Sequence, residues 1–496
     1  MNSKLHALVA GPVAAALVYF ILPDTYIGID GVETPFQASS KAVIAALVWM
    51  AIWWFLEAVH VAITGLLPLV LFPLFAIIDV RTTAAAYGSH IIFLLLGGFI
   101  IGLSMQRWGL DRRVALLILS LMGDKPGRLV FGFMLICAVL SAFISNTATT
   151  AMMLPIAVNV VALLEQQHRE GVDARPFAVC TMLGIAYAAS LGGIMTLIGT
   201  APNAFASSFI QDTFGDARAV GFADWLFIAL PITLVMVPLT WLVLTRVVFR
   251  LPTEPIAKSR EILKQQLHAL PPIERGGWIT LAVFALVVVL WMTRPLLQGI
   301  EITLASGPVK PLAGLSDAGI AMLAAMLLFT LPAGGRRFTM DWDTAKRLPW
   351  EIVLLFGGGI ALARAIKANG VDAIIGAQAA VLGNLPEFVI ILAIAGLVVF
   401  LTEFTSNTAT TTALVPIFAA LAAALGLDPI PVTLATAMAA SCAFMMPVAT
   451  PPNAIVFGSG YVRMHEMIRA GFVLNLLVIP VVAVVAWYWA RVVLAP

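Results

Sequence analysis

Segments 8–22, 42–56, 91–103 and 471–490 of this chain each run without one charged residue. The longer of them approach the roughly 20 apolar residues that a helix needs to cross a hydrocarbon core. Charged residues make up 11% of the 496 and apolar residues 61%, against about 25% charged in soluble domains. In water a fold so apolar would expose large greasy patches; lipid removes that cost. We therefore expect an all-α polytopic membrane protein. Lys4 gives the first segment the basic flank of a signal peptide, but no small-residue cleavage site follows, so we read a span there. A net charge of +2 points away from a nucleic-acid partner. Cys137, Cys180 and Cys442 lie far apart inside apolar runs, as small hydrophobes rather than a disulfide or metal framework.

Hydropathy predicts about eleven full crossings, near 7–22, 42–56, 60–78, 91–107, 177–207, 224–249, 276–293, 317–331, 350–367, 432–457 and 470–490. Segments 129–164 and 387–424 are each interrupted at the middle by a polar run and read as re-entrant hairpins. With the N-terminus cytoplasmic and the C-terminus outside, twenty of the 28 Lys and Arg residues fall on the inner side. That bias is what the positive-inside rule predicts, and turning either hairpin into a full crossing would destroy it. Trp49, Trp53, Trp54, Trp487 and Trp489 read as interfacial belt residues.

The chain repeats itself. Segment 94–100 (LLLGGFI) returns at 354–360 (LLFGGGI), 144–150 (ISNTATT) at 405–411 (TSNTATT), and 199–204 (GTAPNA) at 449–454 (ATPPNA). Five crossings separate the hairpins, so the second repeat is inverted relative to the first. Inverted repeats with broken helices near the midplane characterise many secondary transporters. The expected organisation is scaffold helices at 1–87, a first repeat at 88–250, a linker with scaffold helices at 251–347, and a second repeat at 348–496. Hairpin 129–164 and broken helix 177–207 belong to the first repeat; hairpin 387–424 and broken helix 432–457 belong to the second.

Ser145-Asn146-Thr147 and Ser406-Asn407-Thr408 are helix-capping residue types at the hairpin tips. Each can open a half-helix that aims free N–H groups and a partial positive charge at an anion. The same Ser and Asn oxygens suit a hard cation such as sodium. Ser141 and Thr402, four residues earlier, would share the face of the motif serine and add an oxygen. Pro202, Pro451 and Pro452 break two further spans, and irregular backbone at membrane depth is tolerated where it lines a polar cavity. Neither tip and neither break carries Lys or Arg. A dianion there needs bound cations as its counter-charge, which couples the two. Glu403 flanks the second tip and reads chiefly as a structural hydrogen-bonding group, with an ion role as the lesser reading. Glu57, beside His60, reads as interfacial, and Gly97-Gly98 as close helix packing.

At these motifs, and at segment 440–456 (ASCAFMMPVATPPNAIV), the sequence resembles the divalent anion:sodium symporter family, which includes bacterial sodium/dicarboxylate (succinate) symporters. The resemblance spans about 54–482. It implies a homodimer in the bacterial cytoplasmic (inner) membrane, with scaffold and transport domains and an elevator-like motion. It implies one sodium site at Ser141, Ser145, Asn146 and the Gly199 carbonyl, and another at Thr402, Ser406, Asn407 and the Ala449 carbonyl. Substrate would touch Asn146, Thr147, Thr200, Asn407, Thr408, Thr450 and Pro451. Threonine after both Ser-Asn pairs resembles the C4-dicarboxylate members. The proline-containing run usual in the family after the position of Glu57 is absent; Ala58 to Ile63 stand there instead. The expected function is sodium-coupled uptake of succinate, malate or fumarate. The alternatives are a sodium-independent dicarboxylate exchanger, with Arg364 or Lys367 supplying a cavity charge, and a sulfate carrier. An enzyme is disfavoured, since no His-Glu-x-x-His run and no phosphate-binding glycine loop occurs.

Overall fold

Helices form where the charge-poor segments fall. The structure, a computed structural model, describes residues 2–495 except 29–31, 169–173, 252–254, 257–258, 305–306 and 380–384. Arg169 and Lys258, both counted above on the inner side, lie outside the described residues. Among the described residues, nine helices are long and apolar enough to cross a membrane. Shorter apolar helices span Val61–Leu74, Pro126–Ser141, Asp317–Thr330, Glu387–Leu401 and Pro429–Ala440. The β-structure described is confined to three two-stranded ribbons in loops. Helix interiors hold Pro231, Pro238 and Pro480, which neighbouring helices make tolerable at membrane depth.

Both expected hairpins are helix pairs. Pro126–Ser141 and Asn146–His168 flank the first tip, and Glu387–Leu401 and Asn407–Ala424 flank the second. Both broken spans are broken as expected, into Arg175–Gly193 with Ala201–Phe214 and Pro429–Ala440 with Pro451–Gly458. Arg175–Gly193 is buried along nearly its whole length. It packs hardest on Pro126–Ser141, because a Cβ at Gly192 would sit 2.5 Å from the Ala138 Cα. Small residues at such crossings let backbones approach where no hydrophobic force drives them together.

Polar contacts gather the loops into two ends. Arg107–Asp341 (2.5 Å), Arg175–Glu466 (2.9 Å), Arg337–Glu274 (3.5 Å) and Ser259–Asp124 (2.8 Å) hold one end. Lys41–Asp24 (2.9 Å), Arg218–Asp428 (2.7 Å), Arg294–Asp317 (3.3 Å), Arg364–Asp212 (3.3 Å) and Arg491–Glu387 (2.6 Å) hold the other. Among the described residues no ion pair joins a segment expected inside to one expected outside.

One expected crossing is interrupted, and one expectation is corrected. The crossing expected at 60–78 is two short helices, Val61–Thr64 and Leu67–Leu74. Pro68 cannot donate to the previous turn and starts a new helix, while Gly65 between them lies against the Leu354 carbonyl. Trp54 is not a belt residue: it is fully buried and donates to the Val61 carbonyl at 3.2 Å. Its neighbours Trp49 and Trp53 pack edge to face, 5.4 Å apart, under Gly11 of the first helix. Trp53 donates to the Leu8 carbonyl at 3.1 Å. Aromatic bulk here joins two helices, a role that composition does not separate from interfacial anchoring.

Candidate substrate and cation site

The helices that open at Asn146, Asn407, Ala201 and Pro451 all begin on one cavity of about 940 Å³. Its wall holds Ser145, Asn146 and Thr147, Ser406, Asn407 and Thr408, Gly199 and Thr200, and Ala449, Thr450 and Pro451. Of the residues expected to form the site, only Ser141 and Thr402 lie off this wall. Both are fully buried directly behind it. The Ser141 hydroxyl donates to Asn146 Oδ1 at 2.5 Å, and the Thr402 hydroxyl to Asn407 Oδ1 at 2.9 Å. Residues 261 positions apart in sequence thus build one arrangement twice. Four helix N-termini aim partial positive charge at the same space, an environment that favours an anion, although Pro451 and Pro452 carry no N–H and the Asn453 N–H is taken by Thr450.

The first tip is capped as its residue types predict, whereas Ser406 at the second makes no side-chain cap bond. Ser145 Oγ accepts from the Ala148 N–H at 3.3 Å. Thr200 and Thr450 take extended backbone before their helices (φ −148° and −142°), and Thr450 also accepts from the Asn453 N–H at 3.2 Å.

Unwound backbone at membrane depth must find partners, and the two breaks find them differently. In the first, Asn203 Nδ2 donates to the carbonyls of Gly193 (2.9 Å), Ile194 (3.0 Å) and Thr196 (2.7 Å). Thr196 donates to the Ala142 carbonyl, tying the break to the hairpin tip. In the second, Asn453 Nδ2 donates to the carbonyls of Ala443 (3.1 Å) and Met446 (3.0 Å), positions matching Gly193 and Thr196. The second break also has a carboxylate. Buried Glu403 accepts from the backbone N–H groups of Phe444 (2.7 Å), Met445 (2.9 Å) and Met446 (3.0 Å). The corresponding place in the first repeat is Ala142, so this charge has no counterpart there. Glu403 is therefore the structural hydrogen-bonding group expected from sequence.

The oxygens fit a hard cation. Behind each tip, a hydroxyl and an amide oxygen stand within hydrogen-bond distance, and a Cβ at Gly199 would lie 3.0 Å from the Ser141 carbonyl oxygen. Thr402 additionally donates to the Ala440 carbonyl at 2.8 Å. All of these atoms are neutral oxygens, the donor set that alkali cations take. Gly97 packs on the Ala321 backbone and Gly98 on Ile198, as expected of helix packing. The three cysteines are buried and free.

Sequence reasoning did not find Gln106, Arg347, Leu348 and Pro349, which form the mouth of the cavity together with Glu57. Glu57 has positive φ (45°) and is exposed on the cavity wall. Nothing in the local pattern marks these residues: Gln106 stands in the last turn of helix His90–Arg107, and Arg347, Leu348 and Pro349 stand in the loop before helix Glu351–Ala368. Arg364 and Lys367 do not reach the cavity. At the opposite end they bind Asp212 (3.3 Å) and the Thr213 carbonyl (2.7 Å).

The family described as "Sodium:sulfate symporter transmembrane region" matches the chain over residues 4–495. The chain belongs to this family. It is a symporter family, so the chain is a transporter and not an enzyme. Among relatives, the "Sodium-dependent dicarboxylate transporter SdcS" of Staphylococcus saprophyticus is 36% identical over 494 residues, covering 98% of this chain and 91% of that one. The protein of the same name from Staphylococcus aureus is 38% identical over 459 residues, covering 91% and 86%. Two solved structures share the fold of this symporter at low identity. The Alcanivorax borkumensis YdaH transporter aligns with TM-score 0.59 and 13% identity over 99% of this chain and 98% of its own. Neisseria gonorrhoeae MtrF aligns with TM-score 0.59 and 15% identity over 98% and 94%.

Proposed function

We propose that this symporter moves a C4-dicarboxylate such as succinate, malate or fumarate into the cell together with sodium ions. One observation carries the reading: four helix N-termini and two mirrored Ser-Asn-Thr tips line one cavity that has no cation within its floor. Two carboxylates facing these helix N-termini need neutralising charge in a poorly solvated space. Sodium, the coupling ion, supplies it from oxygens directly behind Asn146 and Asn407. Ser141, Ser145, Asn146 and the Gly199 carbonyl hold one ion; Thr402, Ser406, Asn407 and the Ala449 carbonyl hold the other. Asn146, Thr147, Thr200, Asn407, Thr408, Thr450 and Pro451 meet the substrate. The names of the SdcS relatives support a dicarboxylate over sulfate.

In this reading the protein sits as a homodimer in the bacterial inner membrane, N-terminus in the cytoplasm and C-terminus outside. Its end rich in Arg and Lys faces the cytoplasm, and the cavity opens to that side. Helices of 1–87 and 251–347 form the scaffold, and the two hairpins with their broken helices move as the carrier. The exchanger reading loses its proposed charge, since Arg364 and Lys367 are engaged at the opposite end.

The test is uptake of labelled succinate into proteoliposomes with and without a sodium gradient. Sodium-driven accumulation is expected. Equal uptake in choline, or counterflow that needs no sodium, would sink the reading; transport of sulfate but not succinate would overturn the substrate.

A further inference from the structure

The cavity floor is neutral, but its mouth is not. Among the residues lining the cavity, Arg347 is the one cation. Its neighbours are occupied elsewhere: Lys346 pairs with Asp343 at 2.8 Å, Arg337 with Glu274 at 3.5 Å, and Arg107 with Asp341 at 2.5 Å. Among the described residues the Arg347 side chain has no ion pair or hydrogen bond, and it is exposed. The turn that presents it is pinned. Arg347 N–H donates to the Thr344 carbonyl at 3.1 Å, Thr344 N–H to Asp341 at 2.8 Å, and Arg107 to the Thr344 hydroxyl at 3.1 Å. Buried Leu348 and then Pro349 follow, and both also line the cavity. Two acidic groups stand nearby in the chain or the wall: Glu351 in the first turn of the next helix, and Glu57 on the cavity wall.

From this we infer that Arg347 meets the dianion at the cavity mouth and sets its apparent affinity from that side of the membrane alone. The inference rests on the dianion transport proposed above. A planar guanidinium offers carboxylates paired donors in fixed geometry. A free one beside a site without cations is the first full positive charge that an entering dianion encounters, and the last that it leaves. Because the mouth is wet, salt screens the attraction and limits its size. The side-specificity follows from position: a substrate arriving from the end held by Arg364 and Asp212 reaches the tips without passing this turn.

The experiment uses the full chain reconstituted in one orientation in proteoliposomes, with succinate and sulfate both as probes at saturating sodium. In R347Q, KM for the transported dianion should rise about threefold to tenfold from the side that Arg347 faces. KM from the other side and the maximal rate should not change, and R347K, which keeps the charge but loses the paired donors, should fall between wild type and R347Q. R347C supplies a second reading, since the native cysteines are buried: a positively charged thiol reagent should restore KM and a neutral one should not. Equal KM in R347Q and wild type on both sides, an equal rise on both sides, or restoration by the neutral reagent would overturn the inference. If wild type carries sulfate and not succinate, the proposed substrate fails while the arginine is still read on sulfate.

Discussion

Asn475 donates its side-chain amide to Glu403 Oε1 at 2.7 Å, joining the Met464–Val484 helix to the second tip. The same carboxylate holds the N–H groups of residues 444–446, so one buried charge links a hairpin, a break and a neighbouring helix. N475A removes one hydrogen bond to a charged acceptor and should cost about 1.5–3 kcal/mol of stability. E403A, which strands three backbone N–H groups, should cost more. Thermal unfolding in detergent checks the order of the two. E403Q should also weaken sodium dependence through the Ala449 carbonyl that the break positions, and an unchanged sodium KM would remove that link.

The mirrored asparagines allow a sharper comparison. N146A and N407A each delete one amide on the cavity wall and one partner of a buried hydroxyl. A hydrogen bond to a charged partner contributes about 1.5–3 kcal/mol. Each variant should therefore lose about tenfold to a hundredfold in succinate affinity. Binding titrations at fixed sodium read this directly; loss in one variant only would show that the duplicated tips are not equivalent in use.

Arg364 and Lys367 hold the end of the molecule away from the cavity mouth. Their contacts are partly exposed, and such pairs contribute about 0–1 kcal/mol. The double variant R364Q/K367Q should fold normally and keep its sodium requirement. Counterflow of dicarboxylate without sodium should stay at the wild-type background. A change in sodium-independent exchange would return these residues to the transport path.

Outside the spans, the Thr344 N–H and then the Arg107 guanidinium hold the Asp341 carboxyl below the usual carboxylate range. A depressed value in the folded state means that the contribution is full above the ordinary value of 3.8. It is lost as pH falls through the lower folded value. The melting temperatures of wild type and D341N should differ at neutral pH and converge in strong acid. A gap that widens in acid would contradict this sign.

How much of this was legible beforehand divides by the range of the cause. Apolar runs, the bias of basic residues, capping residue types at two tips and proline at two breaks are all local in sequence, because lipid solvation and helix capping act over a few neighbouring residues. They determined a helical membrane transporter with duplicated half-helices, and they named the residues of the two tips and two breaks that line the cavity. Only the tertiary structure decided that the two tips line one cavity, that Ser141 and Thr402 turn toward their asparagines, and that Glu403 satisfies backbone 41 to 43 residues away. It also decided that Trp54 joins helices rather than facing headgroups, and that Arg347 stands exposed on the cavity wall. Those outcomes depend on which distant segments become neighbours, and no periodicity along the chain encodes the partner that a buried polar group will find.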